Sequence, residues 1–176
     1  MSCLHLLRVG DFQPDLLDAL RLRLERTFRQ PCRLLPGSLD PGFALHPERE
    51  QYHSTELLAR LQRQRTPETW RLLGVTPVDL YIPILTFVFG EAQLEGPCAL
   101  VSSFRLRQEF YGLPPDAGLA HERLVKEAVH ELGHTLRLTH CHSYDCVMSA
   151  SHSVELIDLK GSAFCTACRT QAALGR

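Results

Sequence analysis

The sequence predicts an α+β fold with an α/β-like N-terminal half, and three observations predict it. Strand-like and helix-like periodicities alternate through the first two thirds of the chain. A long helix with a single apolar stripe follows them. Four of the seven cysteines then crowd into the last 36 residues, a stretch that reads as a small C-terminal subdomain.

Taken in order, Leu4–Val9 is a strand, and Pro14–Arg29 is a helix with Asp11 as its candidate cap. In that helix Leu16, Leu17, Leu20, Leu24 and Phe28 recur at the spacing of one buried face. A short strand over Cys32–Leu35 leads into Gly37–Pro47, whose Gly, Pro and Asp mark a loop. A second amphipathic helix runs from Gln51 to Arg65, with Tyr52, Leu57, Leu58 and Leu61 inward. Strands follow at Arg71–Val75, at Val78–Phe89 with a break at Pro83, and at Ala99–Phe104, with turns near Gly90 and Gly96–Pro97. Leu113–Pro115 halts the chain before the long helix, which Asp116 caps and in which Leu124, Val125, Ala128, Val129 and Leu132 form the stripe. One domain over residues 1–176 is expected, with its C-terminal subdomain at 138–176.

The chain carries 44% apolar and 22% charged residues, the balance of a folded globular protein. Nineteen Lys and Arg against twenty Asp and Glu leave a net charge of −1, so no global field favours nucleic acid or an anionic membrane. No apolar run approaches the ~18 residues of a membrane span, and the N-terminus lacks the basic, apolar pattern of an export signal. A cytoplasmic monomer is expected, with no nucleic-acid or membrane partner. Cys3, Cys32 and Cys98 are scattered and read as small buried apolar residues.

The long helix contains His130-Glu131-Leu132-Gly133-His134, the pattern H-E-x-x-H. Residues four apart lie one turn above each other, so His130 and His134 can offer imidazole nitrogens to one metal ion. Glu131 sits beside them, placed to act as general base on a water rather than as a ligand. His140 is the third imidazole. Six residues of unbroken helix would rotate it by about 240° away from the others, so the helix has to end first, close to Arg137. Three nitrogens and one open position are the coordination of a catalytic zinc. Arg137 stands where the extended motif H-E-x-x-H-x-x-G-x-x-H has glycine, at a left-handed turn where a side chain costs about 1–2 kcal/mol. Its guanidinium either crowds the site or binds a substrate carboxylate. His142 is a rival third ligand.

Cys141, Cys146, Cys165 and Cys168 form C-x4-C-x18-C-x2-C, close to the spacing of a structural tetrathiolate zinc site. Four free cysteines, or redox chemistry at Cys165–Cys168, are the alternatives. His140 and Cys141 are neighbours whose side chains point apart in extended backbone, so one dipeptide can serve two metals. Met148, two residues after Cys146, is by itself a gap-filling core residue; its position resembles that of the metzincin Met-turn, which makes it the candidate Met-turn here.

With these residues in hand the chain resembles the archaemetzincins, metzincin-clan zinc metallopeptidases. The resemblance rests on H-E-x-x-H and the third His at 130–140, Cys141, the C-x-M at 146–148 and the distal C-x-x-C at 165–168. Phe87-Val88-Phe89-Gly90-Glu91-Ala92 followed by Val101-Ser102-Ser103 also resembles the family's segment before the active-site helix. The resemblance implies a compact zincin-like fold with a mixed twisted sheet and an active-site helix. It also implies two zinc ions, one catalytic and one structural, and peptidase or aminopeptidase activity on a peptide or protein substrate. Substrate would lie along the edge strand, with the stretch before Gly96 as the upper rim of the cleft. The competing expectation is a non-catalytic module stabilised by zinc that binds a protein partner.

Overall fold

The computed structural model describes residues 2–174. Its elements in chain order are β1 (Cys3–Val9), α1 (Pro14–Phe28), β2 (Cys32–Leu39), β3 (Leu45–His46), β4 (Gln51–His53), α2 (Ser54–Gln62) and β5 (Thr69–Thr76). They continue with β6 (Leu80–Tyr81), β7 (Gly90–Ala92), β8 (Cys98–Ser102), α3 (Ala117–Thr135), α4 (Val154–Leu159) and α5 (Thr166–Gln171). Five strands make the main sheet in the order β2-β1-β5-β8-β7, parallel except for β7, which runs antiparallel to β8 at the edge. The mixed sheet and the α/β-like N-terminal half are those expected from the sequence.

Period-two alternation explains the layers. On β1, Leu4 and Leu6 join the core shared with α1 and α3, while Leu7 and Val9 face the core under α2. On β8, Ala99 and Val101 point to the first core, and Cys98 and Leu100 to the second. The stripe Leu124, Val125, Ala128, Val129 and Leu132 is buried, which seats α3 along the sheet beside β8 and β7. Asp116 Oδ1 accepts from the Leu119 amide at 2.9 Å and caps the helix start as expected. Cys3, Cys32 and Cys98 are buried in the cores; burial pushes the Cys32 and Cys98 thiols up to about 12 and about 11.

Several elements differ from the sequence expectation. Gln13, not Asp11, precedes α1, and Pro14 starts it without a side-chain cap. Leu16 lies at the rim of the α1 face and stays exposed. β2 continues to Leu39 through Pro36, which an edge strand tolerates because its outer N–H row has no partner. The loop after it holds a 3-10 turn at Gly42–Ala44 and the short β3. α2 starts only at Ser54, because Gln51–His53 is drawn into a small sheet with β3 and β6. The expected strand Val78–Phe89 shrinks to Leu80–Tyr81. Pro83 has no N–H to give a ladder, and the chain arches outward with Ile84 86% exposed before Phe89 returns to the core. Arg49 donates to the carbonyls of Leu85 and Thr86, and the Gln51 amide donates to Asp79 and Thr86, so the arch is tied at its base.

Candidate active site

The cleft lies between the arch, β7 and the C-terminal half of α3, with a volume of about 580 Å³. Leu85, Phe87 and Phe89 line its upper side, and His130, Glu131, His134 and His140 its floor. His130 and His134 occupy successive turns of α3, with ring centroids 4.7 Å apart. The helix ends at Thr135 and the chain reverses. Leu138 N–H donates to Gly133 O and Arg137 N–H to His134 O, the paired bonds of a Schellman C-cap. Arg137 holds the left-handed position at φ 69°, the conformation for which glycine is usual. Its guanidinium turns to the far side of α3 and meets Glu95 at 3.4 Å, so it neither crowds the cleft nor offers itself to substrate there. The reversal brings the His140 ring to 5.3 Å from His130 and 5.2 Å from His134.

The tautomers are fixed by backbone. His130 Nδ1 lies 2.8 Å from Val147 O and His134 Nδ1 lies 2.7 Å from Leu138 O, so each Nδ1 carries the proton and donates it. Both Nε2 atoms are then bare lone pairs, yet they face each other at 3.1 Å. Two acceptors so close repel unless a cation lies between them. Tetrahedral zinc with bonds of ~2.0–2.1 Å separates its nitrogen ligands by roughly 3.3 Å, close to what is seen. The donor atoms of His130, His134 and His140 all lie within 4.8 Å of one another. Burial holds His130 down at about 2 and lowers His134 and His140, leaving neutral imidazoles able to bind a metal.

Glu131 is buried beside them. Burial, then the neighbouring Glu127, push its carboxyl well above the usual range, against the pull of Lys160. It packs under Gly90, where an added Cβ would stand 2.7 Å from Glu131 Cγ and 2.5 Å from Leu100 O. Gly90 is therefore no turn residue. It is the first residue of β7, and its missing side chain is what lets the edge strand lie against Glu131.

The cysteines also converge. The Sγ atoms of Cys141, Cys146, Cys165 and Cys168 lie within 4.8 Å of one another, with Cys141 and Cys165 at 3.9 Å. Zinc–sulfur bonds of ~2.3 Å imply about 3.8 Å between tetrahedral sulfurs, so the donor set fits. The backbone N–H of Cys168 leads the interactions that lower Cys165 to about 7. All seven cysteines are unpaired. Met148 is fully buried; its sulfur lies against Gly133 so closely that a side chain there would displace it. Cys141 N–H donates to Met148 O at 2.9 Å, which closes the turn. His142 is exposed and stands outside both groups.

Residues 43–173 match Peptidase family M54. The archaemetzincin of Methanocaldococcus jannaschii is 44% identical over 160 residues, covering 91% of this chain and 87% of that one. The chain belongs to the archaemetzincins, peptidase family M54. Among solved structures, the archaemetzincin of Archaeoglobus fulgidus complexed with malonate superposes with a TM-score of 0.82 at 36% identity, covering 96% of this chain and 99% of that one. A zinc-dependent peptidase of Methanocorpusculum labreanum gives 0.86 at 29% identity, with the same coverage. The archaemetzincin fold and a zinc-dependent peptidase function are thus those of this chain, and the non-catalytic alternative is not favoured. No helix among the described residues is long and apolar enough to cross a membrane.

Sequence reasoning missed Gly90, Gly133 and one further feature of the cleft. Glu127, one turn before Glu131, lines the cavity and pairs at 2.9 Å with Lys160, whose side chain is 2% exposed. The i, i+4 spacing of Glu127 and Glu131 was visible, but Lys160 carries no local signal.

Proposed function

We propose that His130, His134 and His140 hold the zinc at which a peptide bond is cleaved, that Glu131 is the general base, and that the four cysteines hold a second, structural zinc. The observation that carries this reading is the pair of Nε2 atoms at 3.1 Å with His140 beside them, an arrangement that a shared metal ion makes favourable. His130, His134 and His140 would hold the zinc, which when bound would supply a Lewis acid that acidifies water and polarises the scissile carbonyl. Glu131 takes the proton from the attacking water and returns it to the leaving nitrogen, a role suited by a carboxyl whose burial raises its proton affinity above that of an ordinary carboxylate. Val147 O and Leu138 O keep the imidazole planes fixed while the substrate comes and goes.

Among the described residues the outer edge of β7 has no strand partner in the main sheet, so an extended substrate can add to it as a further strand. Leu85, Phe87 and Phe89 on the arch then give an apolar wall for its side chains. Met148 forms the Met-turn, and residues 138–176 act as a subdomain built around the cysteine zinc within one peptidase domain. Seven cysteines with no disulfide among them favour the cytoplasm, where free thiols and zinc-bound thiolates stay reduced.

Zinc analysis tests the site assignment. The wild-type chain should hold two zinc ions, and a His130→Ala/His134→Ala variant only one, with peptide-library cleavage abolished. Two zinc ions in that variant would refute the ligand set.

A further inference from the structure

Lys160 and Glu127 form an ion pair that is almost wholly removed from water, with side chains 2% and 4% exposed. The Lys160 ammonium, 2.9 Å from Glu127 Oε1, is the direct partner the structure gives this buried carboxylate. Such a pair contributes little net stability. The desolvation of two charges consumes most of their attraction, and an apolar pair of similar volume packs as well or better. A reason for an ammonium here has to come from its geometry.

That geometry joins three pieces of the site. Lys160 follows α4 and sends Nζ inward, where it meets Glu127 on α3, donates to Ser149 O at 3.2 Å and stands 3.5 Å from His130 Nδ1. Nδ1 already gives its proton to Val147 O, so the contact with Lys160 is a close approach at the ring edge, not a hydrogen bond. Val147 and Ser149 flank Met148 on the same turn, and Ser149 N–H closes that turn on Cys146 O at 2.9 Å. One ammonium therefore ties the helix that carries His130 to the turn that presents His130's only backbone acceptor.

We propose that Lys160, neutralised by Glu127, is a positioning residue: it fixes the Met148 turn against α3 and so sets the His130 ring plane, with Nε2 aimed at His134 and His140. The inference rests on His130 being a zinc ligand. Glu127 serves to make the ammonium bearable beside the imidazole, and two of the ammonium's three donors reach acceptors on different elements, Glu127 Oε1 on α3 and Ser149 O on the Met148 turn.

The test compares the wild-type protein, Lys160→Met and the double variant Lys160→Met/Glu127→Gln, each with the cysteine site filled. Zinc affinity of the histidine site is read by competition with a chromophoric chelator, alongside Tm and separate kcat and KM. Lys160→Met leaves a buried carboxylate unpaired and is expected to lower Tm. The double variant removes both charges and is expected to regain most of that Tm. Its histidine site nevertheless should bind zinc about 10–100-fold more weakly, the usual effect of losing an outer contact to a ligand, and kcat should fall with KM little changed. A double variant with wild-type Tm and wild-type zinc affinity overturns the proposal. So does a loss of affinity in both variants that merely follows the unfolded fraction. If the wild-type histidine site takes up no zinc, the ligand assignment itself fails, and the control shows this before any variant is compared.

Discussion

Replacing Gly90 with alanine is the perturbation whose size the structure fixes best. The new Cβ would stand 2.5 Å from Leu100 O and 2.7 and 3.0 Å from Cγ and Cδ of Glu131. Carbon contacts are most favourable at about 3.5–4.0 Å, so separations have to grow by roughly 0.5–1 Å. Leu100 O is backbone in the β7–β8 ladder and cannot rotate away, so the displacement falls on β7 and on the Glu131 carboxylate. Overpacking of this kind costs about 1–3 kcal/mol. At about 2–4 °C per kcal/mol for a chain of this length, Tm should drop by roughly 2–12 °C. The chemical effect should be larger, because a misplacement near 1 Å costs on the order of 100-fold in rate. Steady-state hydrolysis of a peptide substrate, with zinc content measured on the same sample, is the assay. We expect kcat to fall about 10–100-fold while the histidine site keeps its zinc. A folded Gly90→Ala protein with wild-type kcat would refute the reasoning that Gly90 exists to admit Glu131.

Two further variants probe the turn and the cysteine cluster. Arg137→Gly should relieve about 1 kcal/mol of left-handed strain and lose an exposed ion pair contributing no more than about 1 kcal/mol. Tm should therefore move by only a few degrees and kcat should stay near wild type; a loss of turnover with zinc retained would return Arg137 to substrate binding. Cys165→Ser/Cys168→Ser should weaken zinc binding at the histidine site as well as at the cysteines, since His140 is joined to Cys141. Unchanged affinity of the histidine site in that variant would sink the coupling.

What could be read from the sequence was local. The α3 stripe, the Asp116 cap and the C-x-x-C spacing depend on residues within a few turns of one another, and all reappear in the fold. The reversal before His140 was also legible, because an unbroken helix points that ring the wrong way. Its left-handed residue then fell on Arg137 as expected, although the direction of the guanidinium depended on Glu95, a distant neighbour. The arch at residues 82–87 misled because its composition is strand-like; Pro83 has no N–H for a ladder, and the chain returns to pairing only at Val88, which bridges to Leu80. Gly90 reads as a turn until Glu131 is brought beneath it. Lys160 is one charged residue after a short helix, and its meaning comes from Glu127, His130 and Ser149, which only the folded chain gathers.

The central claim is that Glu131 moves the proton in peptide hydrolysis at a zinc held by His130, His134 and His140. Glu131→Gln keeps the shape of the side chain and removes its basicity. Measured together, the zinc content of the histidine site and kcat on a peptide substrate decide the claim. The account predicts full zinc occupancy with turnover reduced about 100–10,000-fold. Hydrolysis by Glu131→Gln at the wild-type rate would contradict it.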